Sequence, residues 1–276
     1  MTLVFFVELN GGLANRLRAL WSAHAFALRY RRPVVVIWPI TPEFACDYNK
    51  LFTLNSPLYL INVDPARPLQ NIGLRLSRWI FSTVRLGLNC PIYGGEAWGR
   101  PVRYAPLWMP FQWIQTCAEF ECTNNFDAPF LPLPSLTQQA SSRLSKARFD
   151  GDVLVGVHIR RTDHRHSISC SNTNAFITEM QSCLTREPST RFLLCTDDPS
   201  EVEPLRNLFG NRLIWYPPKC LDRSRYMSGI DAFIDFLTLS GCNMIYCSYL
   251  SSFSLLAART GRVPYTVIGN PDSGTT

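Results

Sequence analysis

What the chain lacks narrows the field before any motif is read. None of its apolar runs reaches the roughly 18 residues of a membrane span, and the longest, such as Pro33–Trp38, are strand-sized. GxGxxG, GxxxxGK[ST] and GxSxG are all absent, so dinucleotide enzymes, P-loop nucleotidases and nucleophile-elbow hydrolases have no anchor here. Histidine is scarce, at four residues. The start, Met1–Leu9, has neither the basic region nor the small-residue cleavage site of a secretory signal, so a cytoplasmic protein is expected.

What is there describes a folded globular protein. Apolar residues make up 46% and charged residues 17% of 276, ample material for a core. A net charge of +6 suits an anionic partner and equally a solvated basic surface. The ten cysteines include no CxxC. Cys195 and Cys247 end apolar runs and Cys183 sits on a helical apolar face, so most read as small buried hydrophobes. A bridge among Cys46, Cys90, Cys117 and Cys122 stays open.

Periodicity gives an alternation of strands and helices. Leu3–Leu9 is a strand and Ala14–Arg31 a helix with Leu17, Leu20, Trp21 and Leu28 facing inward. Val34–Trp38 and Leu58–Val63 follow as strands, and Asn71–Leu86 as a basic amphipathic helix. Arg100–Gln115, rich in proline and aromatics, reads as loop with a strand near Trp113–Cys117. Prolines interrupt Asp127–Asp152, whose polar tail reads as a connection ending in a helix. From Val153 the pattern becomes regular: strands at Val153–Ile159, Arg191–Cys195, Arg212–Tyr216, Met244–Cys247 and Val263–Ile268. Between them lie helices at Thr173–Arg186, Pro199–Phe209, Ile230–Ser240 and Ser252–Thr260. Such alternation specifies an α/β fold with parallel sheets. Two domains, 1–150 and 151–276, with a cleft between them are expected.

Four segments carry chemistry. Gly11 and Gly12 join a strand to a helix, which makes either a tight turn or an anion site built from helix N–H groups, with Asn15 beside it. His158–Asp163 (HIRRTD) follows a strand, where ligands of parallel sheets collect. Arg160 and Arg161 suit a diphosphate, because guanidinium donates in a planar fork and keeps its charge. On extended backbone one arginine faces the ligand while the other pairs with Asp163. In Leu193–Pro199 (LLCTDDP), one of Asp197 and Asp198 caps the helix opened by Pro199, and the other steadies the arginines or a sugar hydroxyl. Asp231 and Asp235 share a helix face among apolar side chains, where a carboxylate needs a donor such as a nucleotide base edge. Ser251, Ser252 and Ser254 open the last helix, either as caps or as phosphate donors. His24 reads as a core residue.

Taken in order, GGLANRL, HIRRTD, CTDDP, the Asp231/Asp235 helix and SYLSSFSLLAA resemble the fucosyltransferase superfamily. That group takes in the nodulation-type and core α-1,6 enzymes, the α-1,2 enzymes and the protein O-fucosyltransferases. The resemblance implies a GT-B fold of two Rossmann-like domains, acceptor-side (1–150) and donor-binding (151–276). It also implies GDP-fucose as nucleotide-sugar donor, a glycan acceptor, inversion, and no metal or other cofactor. Arg160 matches the arginine on the donor's β-phosphate, with Arg161 beside it and His158 and Asp163 completing the motif. Asp198, Asp235, Ser251 and Ser252 fall on donor-binding positions, and Asn15 near a glycine-loop asparagine. Core-type enzymes carry a glutamate beyond the motif histidine at the position held here by Ile168. The general base is therefore open among Asp163, His164, His166 and Glu8. Another nucleotide-sugar donor, a sulfotransferase, or a glycan- or nucleic-acid-binding module are the rival readings; neither a nucleic-acid partner nor a membrane span is expected.

Overall fold

The computed structural model describes residues 4–64, 72, 111–121, 128–149, 152–162 and 165–269. The chain divides into two compact units, one of residues 1–133 with 222–230, the other of residues 134–221 with 231–276. The helix Pro134–Ala147, expected within the connection of the first half, groups with the second unit.

The first unit is built on a parallel sheet of order β4-β2-β1-β5, with β1 (Val4–Leu9), β2 (Val34–Pro39), β4 (Leu58–Val63) and β5 (Phe111–Thr116). An antiparallel pair, β3 (Phe52–Leu54) with β6 (Phe130–Pro132), lies apart from that sheet. Phe5, Val7 and Leu9 alternate along β1 and are fully buried. Phe5 stacks on Phe26 of α1 (Leu13–Tyr30) at 4.1 Å between ring centres. Helix α1 exists because Leu13, Leu17, Leu20, Trp21 and Ala27 recur at helical spacing on the buried side. It ends where Arg31 turns left-handed ahead of Pro33. Leu28, expected to face inward, is 50% exposed. Eighteen helical residues span about 27 Å whereas six strand residues span about 20 Å, so the last turn overshoots the sheet.

The second unit carries a fully parallel sheet of order β11-β10-β7-β8-β9. Its strands are β7 (Leu154–Ile159), β8 (Arg191–Thr196), β9 (Leu213–Trp215), β10 (Met244–Ser248) and β11 (Tyr265–Ile268). Its helices are α2 (Pro134–Ala147), α3 (Arg165–Cys170), α4 (Thr173–Arg186), α5 (Val202–Phe209), α6 (Tyr226–Ser240) and α7 (Ser252–Gly261), of which Tyr226–Ile230 groups with the first unit. Central β7 is buried at every residue, as its unbroken apolar run predicts. Val155, Val157 and Ile159 share a core with Phe176 and Met180 of α4. On the opposite side Gly156 admits α6: a Cβ there would stand 2.8 Å from Leu239 Cδ2 and 3.1 Å from Cys242 Sγ.

Elsewhere the expected elements differ in detail. Pro199–Phe209 is a 3-10 turn at Pro199–Glu201 followed by α5, not one helix. The strand expected near Trp113–Cys117 runs Phe111–Thr116. The helix expected at Asn71–Leu86 and the loop ahead of β5 lie outside the described residues, apart from Ile72. Cys46 and Cys117 are unbridged, and Cys90 and Cys122 lie outside the described residues. Among the described residues no helix is long and apolar enough to cross a membrane.

Candidate functional site

In a parallel sheet the strands' carboxyl ends share an edge, and the turns there build the site. In the first unit β1 leads into Gly11, whose φ of +76° needs glycine. A Cβ at Gly11 would also stand 3.0 Å from the Asn15 amide nitrogen. Helix α1 opens at Gly12 with no side-chain cap and no acidic residue in its first turn. Its N–H groups and dipole therefore favour an anion. Glu8, next to last on β1, is buried and accepts from the Gln115 amide on neighbouring β5 at 3.2 Å. Arg16, one turn into α1, is fully buried. His24 is a core residue, bonded through Nδ1 to Ser56 Oγ at 2.7 Å, and burial lowers its pKa.

In the second unit the turn after β7 is held from several sides. The Arg160 N–H donates to Ser248 Oγ at 3.1 Å, and Ser248 Oγ donates to the His158 carbonyl at 3.0 Å. Arg161 points inward. Its Nε pairs with Glu201 at 2.6 Å, while the rest of the guanidinium donates to the carbonyls of Arg160 and Ser171 and to Thr173 Oγ1. The partner expected for the second arginine was Asp163, which, with His164, lies outside the described residues; among the described residues Arg161 pairs with Glu201. The side chain of His166 is likewise outside them.

The two adjacent aspartates divide their work. Asp198 accepts from the Ser200 N–H at 2.9 Å and caps the 3-10 turn, and these bonds lower its pKa. Asp197 accepts from the N–H of Arg161 at 2.7 Å and from the Thr162 hydroxyl at 2.6 Å, and so steadies the arginine turn.

His158 is sealed between β7 and α7. Its ring stacks on Phe253 at 5.0 Å, and Nδ1 lies 3.3 Å from Ser251 Oγ. Burial lowers its pKa to about 4; Arg160 pushes the same way and Asp197 opposes. The imidazole is therefore neutral near pH 7. Ser251 occupies the cap position of α7 but its hydroxyl does not cap the helix; it turns to His158, so the capping reading is corrected for that residue. Ser252 follows, half-buried, at the first position of α7, and Ser254 is fully buried one turn in. Leu250 just before takes a left-handed φ of 55°, a strained conformation for leucine.

Asp231 and Asp235 do lie on one face of α6, but each already has donors. Asp231 is buried and accepts from the N–H groups of Lys219 at 2.7 Å and Cys220 at 2.9 Å. Asp235 pairs with Arg143 of α2 at 2.6 Å, where a base edge was expected as the donor. Burial raises the Asp235 pKa to about 6 although Arg143 pulls it down. Arg143 in turn lies over the Tyr216 ring at 5.2 Å and its carbonyl accepts from the Tyr216 hydroxyl.

In each unit the edge brings expected residues together: Gly11, Gly12 and Asn15 in one, His158, Arg160, Arg161, Asp197 and Ser251 in the other. Sequence reading missed Arg143, Ser171, Glu201 and Ser248. Only Ser248, inside the CSYLSSFS segment, carried a local signal.

No protein-family model and no curated protein matches the chain. Solved structures do. NodZ α-1,6-fucosyltransferase soaked with GDP-fucose is similar with a TM-score of 0.63 at 17% identity, covering 100% of this chain and 98% of that one. POFUT1 in complex with GDP gives 0.61 at 11% identity, with 98% of each chain covered. A mutant of Arabidopsis thaliana FUT1 in complex with GDP gives 0.59 at 15% identity, covering 100% of this chain and 72% of that one. The chain thus has the two-unit α/β architecture of the GT-B fucosyltransferases.

Proposed function

We propose that the protein is an inverting, metal-independent glycosyltransferase that moves fucose from GDP-fucose to a glycan acceptor. The second unit would hold the donor and the first would serve the acceptor side. The observation that carries this reading is the turn after β7. Its backbone is pinned by Ser248 and Asp197 and its second arginine is tied to Glu201, so the Arg160 backbone sits on a fixed frame at the strand end.

As the sugar–phosphate bond breaks, negative charge grows on the β-phosphate and the sugar turns oxocarbenium-like. Arg160 would meet that charge already oriented, which for one good donor is about 3–4 kcal/mol. The N-terminal N–H groups of α7, with Ser251 and Ser252, would add to it. Neutral His158 keeps Ser251 in place. Asp198 caps the donor-side turn at its foot. Asp235 would read the base by exchanging Arg143 for it. The base that takes the acceptor proton comes from Asp163, His164, His166 or Glu8; Glu8 is the one whose side chain is described.

Calorimetry with GDP, UDP and adenosine 3′,5′-bisphosphate, followed by turnover of GDP-fucose, tests the reading. GDP binding is expected, and Arg160→Ala should lower turnover by about 10²–10³-fold with the fold intact. Preferential binding of the bisphosphate, or an Arg160→Ala variant with full turnover, would refute it.

A further inference from the structure

Arg16 is a buried cation that the donor chemistry does not use. It lies inside the first turn of α1, fully buried, where burial pushes its pKa down to about 10, opposed by Glu43 and Cys46. It therefore stays charged at neutral pH. Its guanidinium lies over the rings of Trp38 at 5.2 Å and Phe44 at 5.0 Å. Its donors go to three oxygens on two loops: Nε to the Gly11 carbonyl at 2.7 Å, one terminal nitrogen to the Pro39 carbonyl, and the other to Thr41 Oγ1 at 3.2 Å. Gly11 follows β1 and Pro39 ends β2, and these strands are parallel neighbours. The Thr41 loop is itself closed by a backbone pair between Thr41 and Phe44.

Stability alone does not explain this choice. A buried charge costs several kcal/mol to desolvate, and an apolar side chain of similar volume often serves packing as well or better. What an apolar side chain cannot do is fix the direction of two carbonyls on separate loops at once. The planar fork of arginine can, and the point charge of lysine cannot. The Gly11 bond matters most. It orients the peptide that follows a residue in the left-handed region, and that peptide carries the N–H group of Gly12.

We infer that Arg16 is a positioning residue that locks the Gly11–Asn15 turn to the Pro39–Phe44 loop and holds the edge of the first unit in the geometry that transfer needs. This rests on the function proposed above. Donor-contacting groups of the second unit are untouched by it, so the effect belongs in turnover rather than in donor affinity.

The test compares wild type with Arg16→Lys and Arg16→Met, the latter keeping the side chain's contact with Trp38 and Phe44. Amide hydrogen exchange is measured over Asn10–Asn15, Ile40–Phe44 and, as control, Val34–Trp38. GDP affinity and the kcat and KM for GDP-fucose are measured alongside. Both variants should fold, with exchange in the two loops rising together by about tenfold, a loss of roughly 1.4 kcal/mol of local protection. kcat should fall by about a hundredfold while donor KM and GDP affinity stay within about threefold. Loops that loosen without loss of kcat would reduce Arg16 to a packing residue. Full rescue by lysine, or loops that do not loosen, would also overturn the inference. Should Arg16→Met fail to fold, Thr41→Val removes a single bond and must show a smaller version of the same split. A wild type that neither binds GDP nor uses GDP-fucose would sink the proposed function instead, and the exchange measurement, which needs no substrate, would still decide the lock.

Discussion

Arg161→Leu is the sharpest probe of the second unit's frame. The change removes one charged pair with Glu201 and three bonds to neutral oxygens, those of Arg160, Ser171 and Thr173. Breaking a buried ion pair from one side costs about 3–5 kcal/mol, because the other charge stays behind. The Arg161 and Glu201 side chains are only 8% and 11% exposed, so little of that is screened away. Each lost neutral bond adds about 1 kcal/mol. The total, about 6–8 kcal/mol, rivals the whole stability of an ordinary domain, commonly about 5–15 kcal/mol. Arg161→Leu/Glu201→Leu removes the stranded carboxylate and should recover about 2–4 kcal/mol of the loss. Urea denaturation followed by near-ultraviolet circular dichroism, with limited proteolysis around residue 160, provides the assay. A single mutant costing under about 1 kcal/mol, or a double mutant no more stable than the single, would show that Arg161 is not the internal strut described here.

Two groups should titrate with opposite sign. His158 binds its proton more weakly folded, at about 4, than free, at 6.5, so stability falls as pH drops through that window, by at most about 3 kcal/mol. Asp235 holds its proton more tightly folded, at about 6, than free, at 3.8, so stability falls as pH rises through its own window by a similar amount. Relative to wild type, His158→Gln should therefore gain stability on acidification from pH 6 to 4, and Asp235→Asn should lose it faster; denaturation midpoints across that range check both, and parallel curves would refute the assignment.

The parallel-sheet core was legible because it depends on short-range pattern. The largely apolar run Val153–Ile159 reads as a strand buried on both faces, and β7 is that strand, buried at every residue. The division of labour between Asp197 and Asp198 was legible as a pair of roles, since proline after an aspartate announces a capped turn. Which partner each charge chooses was not. Arg161 finds Glu201 forty positions along the chain, and Asp235 finds Arg143 ninety-two positions away. Nothing local encodes such pairs. Leu28 failed for a different reason: periodicity reports which side of a helix is apolar, not how far the sheet beneath it extends.

The Ser171 hydroxyl donates to the carbonyl of Ile268 at 2.6 Å and accepts from the N–H of Tyr249 at 2.7 Å, while the Ser171 carbonyl holds Arg161 at 3.0 Å. One small residue thus joins the outermost strand β11, the turn ahead of α7 and the arginine turn. Thermodynamic linkage runs both ways. Fraying of the sheet's rim will be felt as slack at the guanidinium, and whatever stiffens the arginine turn will tighten a border strand that it never touches.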